Sequence, residues 1–179
     1  MSPVERPMRA DARRNYDALL TAAAEVFGEL GAQAPLDEIA RRAGVGNATM
    51  YRHFPTREEL LLAVYDDEVR ALCADGRRRL TAEAPGDALF AWLEAFVAHA
   101  ASKRFLAAGV RGPDTRLDRW HRAMHDTAAA LVERAAAAGA VRPGTDAWDL
   151  LVLANGIALA ATDDTQARRL LAAVRHGVG

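Results

Sequence analysis

Residues Gly44 to Leu60 read GVGNATMYRHFPTREEL, with Tyr51, Arg52, His53 and Phe54 in direct succession. A phenol, a guanidinium and an imidazole are hydrogen-bond donors suited to phosphate oxygens, and a core turn rarely holds them so close together. A second set of polar residues interrupts apolar helical stretches: His99 near Trp92 and Phe96, His121 and His125 around Trp120 and Met124, and Asn155 between Leu151 and Leu159. A small-molecule site needs a few polar groups converging in an apolar setting, which makes Trp92, Phe96, His99, Trp120, His121, Met124, His125 and Asn155 the candidate ligand-binding residues. His121 and His125, four apart, share a helix face at a spacing that can chelate zinc. No HExxH glutamate and no third ligand at recognisable spacing accompany them, so no metal is expected. The chain has no G-x-S-x-G elbow, no phosphate-cradling loop and one cysteine, Cys73, so neither a catalytic residue nor a cofactor is expected.

The elements that must position these residues are helices, because apolar residues recur with helical period throughout and no run alternates long enough for a strand. The fold class read from the pattern is all-α. A first helix at about 12–30 carries Leu19, Ala23, Val26, Phe27 and Leu30 on one face and stops at Gly31. Pro35 opens a short second helix, about 36–43, and a third runs from Asn47 to Phe54 before Pro55. Thr56, with Glu59 three residues on, can cap a long fourth helix that reaches about Leu80. A fifth follows with Leu89, Trp92, Leu93, Phe96 and Val97; VRGPDT at 110–115 breaks the chain, and further helices carry Trp120, Met124 and Leu131, then 146–161 and 164–176.

Ala40, Gly44 and Met50 hold the spacing of a helix-turn-helix: a small residue where two helices nearly touch, a glycine for positive φ in the turn, and an apolar anchor beyond it. Such a unit directs the amino end of its second helix into a major groove, with Gly46, Asn47, Ala48 and Thr49 at base edges or nearby phosphates. Tyr51, Arg52 and His53 then reach the sugar-phosphate backbone, Phe54 turns inward, and Arg57 starts the next helix, whose free N–H groups favour an anion.

Of the 179 residues, 51% are apolar and 26% charged, the balance of a chain that folds around a core. A net charge of −1 lies far from that of a non-specific nucleic-acid binder, so any DNA contact must come from local placement. Arg6, Arg9, Arg13 and Arg14 gather at the amino end, where an arm could meet phosphates. The first residues show charges but no apolar signal segment, and the longest apolar stretch, LLVLANGIALAA at 150–161, is too short to span a membrane, which needs about 20 residues. A cytoplasmic chain with no membrane partner is expected, consistent with a lone thiol.

The run PLDEIARRAGVGNATMYRHFPTREELL, preceded by Ala22, Ala23, Phe27 and Gly31, closely resembles the amino-terminal domain of TetR-family transcriptional regulators over residues 14–65. The resemblance implies a three-helix DNA-binding domain at 1–57, with an arm at 1–12, and a helical ligand-binding and dimerisation domain at 58–179. It further implies a homodimer through the last two helices, a double-stranded operator with dyad symmetry, and repression relieved by a small-molecule effector. Thr49, Tyr51, His53 and Arg57 match the motif as DNA contacts, whereas Asn47 and Arg52 occupy positions that vary with the operator. Pro35 and Gly46 depart from the pattern, each replacing a residue whose hydroxyl commonly caps a helix or bonds a phosphate. A metal-responsive regulator, or a ligand-binding protein or enzyme of the same fold that has left DNA binding, are the alternatives.

Overall fold

The computed structural model describes residues 5–102 and 115–178, with the side chains of 5–9, 102 and 115 outside the description. The described residues form eight helices: α1 Glu5–Leu30, α2 Leu36–Arg42, α3 Asn47–His53, α4 Arg57–Arg79, α5 Pro85–Ser102, α6 Thr115–Ala137, α7 Ala147–Ala160 and α8 Asp164–Val178. The break expected at 110–115 lies outside the described residues up to Thr115, where α6 begins. The chain divides into two compact units within α4, between Asp67 and Glu68, further along than the 57/58 boundary read from the sequence.

In the first unit α1 starts at Glu5, so the arm expected at 1–12 is helical from that residue; the side chains of Arg6 and Arg9 lie outside the description. Its buried face is Leu19, Leu20, Ala22, Ala23, Val26 and Phe27, at the i, i+3, i+4, i+7 spacing that lays one stripe on a core. Leu30, read as the end of that stripe, is exposed, because it is the final residue before Gly31 turns the chain away at φ 79°. Ile39 and Ala40 of α2 and Met50 of α3 complete the centre, with Phe54 beside them. Between α2 and α3 the turn depends on Gly44 at φ 65°, a region an L side chain rarely adopts, and the Val45 N–H donates to Ala40 O at 3.0 Å. Neither Pro35 nor Gly46 gives a side-chain cap to the helix it precedes, as their chemistry dictates. Thr56 Oγ1 does accept from the Glu59 N–H at 3.2 Å, which fixes the start of α4.

The second unit is organised around α5, which packs on α6, α7 and α8. Leu89, Trp92, Leu93, Phe96 and Val97 supply its buried faces. The indole N–H of Trp92 donates to the Leu72 carbonyl of α4 at 3.0 Å, so a polar edge taken into the core keeps a partner. Opposite it, Gly76 lets α4 come close: a Cβ there would overlap Thr127 Cγ2 of α6 and lie 2.8 Å from Trp92 Nε1. Asp146 caps α7 by accepting from the Trp148 and Asp149 N–H groups at 2.7 and 3.2 Å. Asp163 caps α8 through the Gln166 N–H, and Gln166 returns its side-chain oxygen to the Thr162 N–H at 2.8 Å. The bond from Gln166 holds the Asp163 carboxyl below the usual carboxylate range.

Helix α7 buries Ala147, Leu150, Leu151, Ala154, Ile157 and Ala158 on one side. Its other side is apolar as well but open, with Trp148 50%, Val152 59%, Leu153 49% and Leu159 58% exposed. No helix of the described residues is long and apolar enough to cross a membrane.

Candidate nucleic-acid interface and ligand pocket

α3 is seven residues long, too short to hold its shape in water alone, and it is fixed by what it buries. Met50 and Phe54 point into the unit, while Asn47, Ala48, Tyr51 and Arg52 are exposed and Thr49 and His53 are half-buried. This is one face inward and one outward, the arrangement a reading helix requires. Asn47 Nδ2 donates to Asp37 Oδ1 at 3.1 Å, which ties the first turn of α3 to the first turn of α2. Arg52 reaches back toward Thr49 Oγ1 at 3.5 Å, and among the described residues no carboxylate pairs with it.

His53 packs edge-on to Tyr16 of α1, with ring centroids 6.0 Å apart, and Tyr16 lies 5.1 Å from Phe54. Sequence reading missed Tyr16, although it sits one helical turn before Leu19 and Leu20 on the buried stripe and so carried the signal. Arg57 takes a position that its place in the motif does not reveal. Its Nη1 donates to the carbonyls of Ala32 and Ala34, at 3.0 and 2.5 Å, and so clamps the loop between α1 and α2. Two loop carbonyls thereby find partners through Arg57, and one N–H of the first turn of α4 finds its partner in Thr56.

Much of the positive charge on α2 is balanced within the unit. Glu38 accepts from Arg41 at 2.7 and 2.8 Å and from Arg42 at 2.9 Å, and Arg42 grips Glu29 with two parallel bonds of 2.9 and 2.7 Å. The bonds from Arg41 and then Arg42 lower the Glu38 carboxyl to about 2, and the bond from Arg42 lowers Glu29. Arg42 is held well above its ordinary value by the same two carboxylates, Glu29 first.

The second unit contains a half-open cavity of about 200 Å³ between α5, α6 and α7, lined by the buried Phe96, Met124 and Leu151 and the exposed His121, Trp148, Val152 and Asn155. Phe96, His121, Met124 and Asn155 were singled out from the sequence; Trp148, Leu151 and Val152 were not. The other expected ligand residues stand elsewhere. Trp92 lies behind Phe96, ring to ring at 5.9 Å, and Trp120 is buried. His99 is buried with Nδ1 3.4 Å from Glu68 Oε2. His125 faces Asp126 at 3.3 Å and meets the Trp148 ring edge-on at 5.3 Å. Among the described residues no three His, Cys, Asp or Glu side chains gather as for a metal ion. A larger hollow of about 430 Å³, as open as the first, borders α5, the end of α7 and the start of α8, and its lining includes several alanines with Glu94, Asp164 and Arg168. It has no aromatic wall, so the smaller cavity has more of the character of a ligand site.

An exposed reading helix in a three-helix unit, joined through α4 to a helical unit with its own cavity, defines a helix-turn-helix regulator. The comparisons with known proteins agree. Residues 19–64 match the family described as bacterial regulatory proteins, tetR family, and residues 84–179 match the C-terminal domain of SbtR-like transcriptional regulators. The chain belongs to the TetR family of transcriptional regulators. A solved TetR regulator from Streptomyces coelicolor is 39% identical, covering 90% of this chain and 97% of that one, with a TM-score of 0.80. Another from Mycobacterium vanbaalenii is 35% identical over 96% of this chain and 99% of that one, with a TM-score of 0.79. The HTH-type transcriptional activator FasR of Mycolicibacterium smegmatis is 45% identical over 71 residues, 39% of this chain. The chain spans only 32% of the length of that curated relative.

Proposed function

We propose that the protein is a cytoplasmic homodimer that binds a double-stranded operator of dyad symmetry as a repressor and leaves it when a small molecule occupies the cavity between α5, α6 and α7. The observation that carries the reading is α3, whose Met50 side is buried while Asn47, Ala48, Tyr51 and Arg52 face outward. In this reading Asn47, Ala48 and Thr49 lie at the groove and Tyr51, Arg52 and His53 at the phosphates. Arg57 acts by fixing the loop between α1 and α2, since its Nη1 serves two carbonyls there. The open apolar side of α7, with Leu170 of α8 also exposed, supports pairing of the last two helices with those of a second copy. Two reading helices related by a twofold axis then meet successive major grooves about 34 Å apart. Catalysis is no part of this reading.

The test is binding to the DNA upstream of the protein's own gene, measured by fluorescence anisotropy across a series of salt concentrations. Wild type should bind with affinity that falls steeply as salt rises, and Tyr51→Ala should bind much more weakly. Equal and salt-insensitive behaviour of the two would refute the role given to α3.

A further inference from the structure

The outward side of α3 limits which base pair it can read. Of the three residues set at the groove, Ala48 offers a methyl group and Thr49 is half-buried with Arg52 Nη2 3.5 Å from its Oγ1. Asn47 is thus the exposed one that carries both a donor and an acceptor. Its amide is not free to turn. Asn47 Nδ2 donates to Asp37 Oδ1 at 3.1 Å, and a carboxylate accepts hydrogen bonds but gives none, so the nitrogen of the amide, not the oxygen, faces Asp37. One N–H is thereby taken up, and the amide keeps Oδ1 and its second N–H, an acceptor beside a donor. In the major groove adenine presents the complement, the N6 donor beside the N7 acceptor. Guanine presents two acceptors, cytosine a donor alone and thymine an acceptor alone, so two bonds are open to adenine and one to any other base.

We infer that Asn47 reads adenine, once in each half of the operator, and that Asp37 is a positioning residue that holds the amide in the orientation this requires. The inference rests on the proposed function, which sets α3 in the groove, and adds the identity of one operator base. Because Asp37 acts through Asn47, its loss changes which base is chosen at that position and leaves the rest of the operator read as before. A carboxylate close to DNA repels phosphates, so removing it does not lower overall affinity as the loss of a structural prop would.

Selection of bound duplexes from a randomised library by the full chain, followed by anisotropy on the selected operator, tests it. Wild type should enrich a twofold-symmetric sequence with adenine at one position of each half, and changing that A·T pair to G·C in both halves should cut affinity at least about fivefold. Asn47→Ala should lose that preference alone, binding the two duplexes within about twofold of each other while the other positions keep theirs. Asp37→Asn is nearly isosteric but can give as well as accept a hydrogen bond, which frees the amide to turn. It should relax the preference at the same position, with affinity for the G·C duplex unchanged or higher. Both residues are exposed, so the variants keep the fold. An Asn47→Ala variant that still prefers adenine there, or a position lost with Asn47 that is not adenine, would overturn the assignment of Asn47. Full preference retained in Asp37→Asn would overturn that of Asp37. An enriched operator with no position that responds to Asn47 refutes the base assignment alone, whereas enrichment of no duplex at all refutes the proposed function and the inference with it.

Discussion

Replacing Gly76 by alanine isolates the close approach on which α4 depends in the second unit. In an exposed helix the change would gain up to about 1 kcal/mol, because glycine loses more backbone freedom on folding. Here the added Cβ overlaps Thr127 Cγ2 and lies 2.8 Å from Trp92 Nε1. Forcing a methyl into a packed core costs about 1–3 kcal/mol. Shifting the indole endangers its bond to Leu72 O, and a buried donor left unpaired adds about 1–3 kcal/mol. The net expectation is a loss of about 2 kcal/mol. That corresponds to a fall in Tm of roughly 4–8 °C for a chain of this size. Calorimetric melting reads the loss, and the Trp92 indole N–H resonance in an NMR spectrum should move as its bond lengthens. Thr127→Ser removes the nearest colliding methyl and keeps the bond from Oγ1 to Ala123 O, so the Gly76→Ala/Thr127→Ser double variant should recover a measurable part of the loss. A Gly76→Ala variant as stable as wild type or more so, or strict additivity in the double variant, would show that the helices do not approach as described.

Three more expectations follow from the same coordinates. Arg52→Ala should weaken operator binding similarly for all operator sequences and reduce the slope of log affinity against log salt by about 1, the signature of one lost phosphate contact, read by anisotropy. Glu38 has a folded-state value near 2, below its ordinary value of 4.5, so its contribution to stability is full above pH 4.5 and fades as pH falls toward 2. Glu38→Gln should therefore lower the urea midpoint at pH 7, with the gap to wild type closing as pH approaches 2. Leu153→Glu places a charge on the open apolar side of α7 and should shift the protein to monomer in sedimentation velocity while its helical circular dichroism stays unchanged.

Local chemistry explains why the first unit could be read so far from residues alone. Gly31, Gly44, Pro55 and Thr56 each act on their nearest neighbours, and the helix ends fall where those residues put them. The site within it was partly legible: Met50 inward and Tyr51 outward follow from helical period. The position of Arg57 was not, because its acceptors are carbonyls more than twenty residues away whose direction is set by the loop from Gly31 to Pro35. The cavity was legible in type but not in membership. Phe96 and Trp92 are four apart on α5 and read alike in sequence, yet one lines the cavity and the other turns to Leu72 of α4. Periodicity shows that a face is apolar; whether that face is covered or left open depends on the helices opposite, as the exposed Trp148 and Val152 illustrate.

The three tryptophans occupy unlike surroundings: Trp92 and Trp120 are enclosed, while Trp148 is half open to water at the rim of the cavity. In a single chain the emission is therefore the sum of two shielded indoles and one that a dissolved quencher can touch. Acrylamide should dim only the accessible fraction, and pairing of α7 with a second copy should protect it as protein concentration rises. The molecule thus carries an optical gauge of its own pairing, without any added dye.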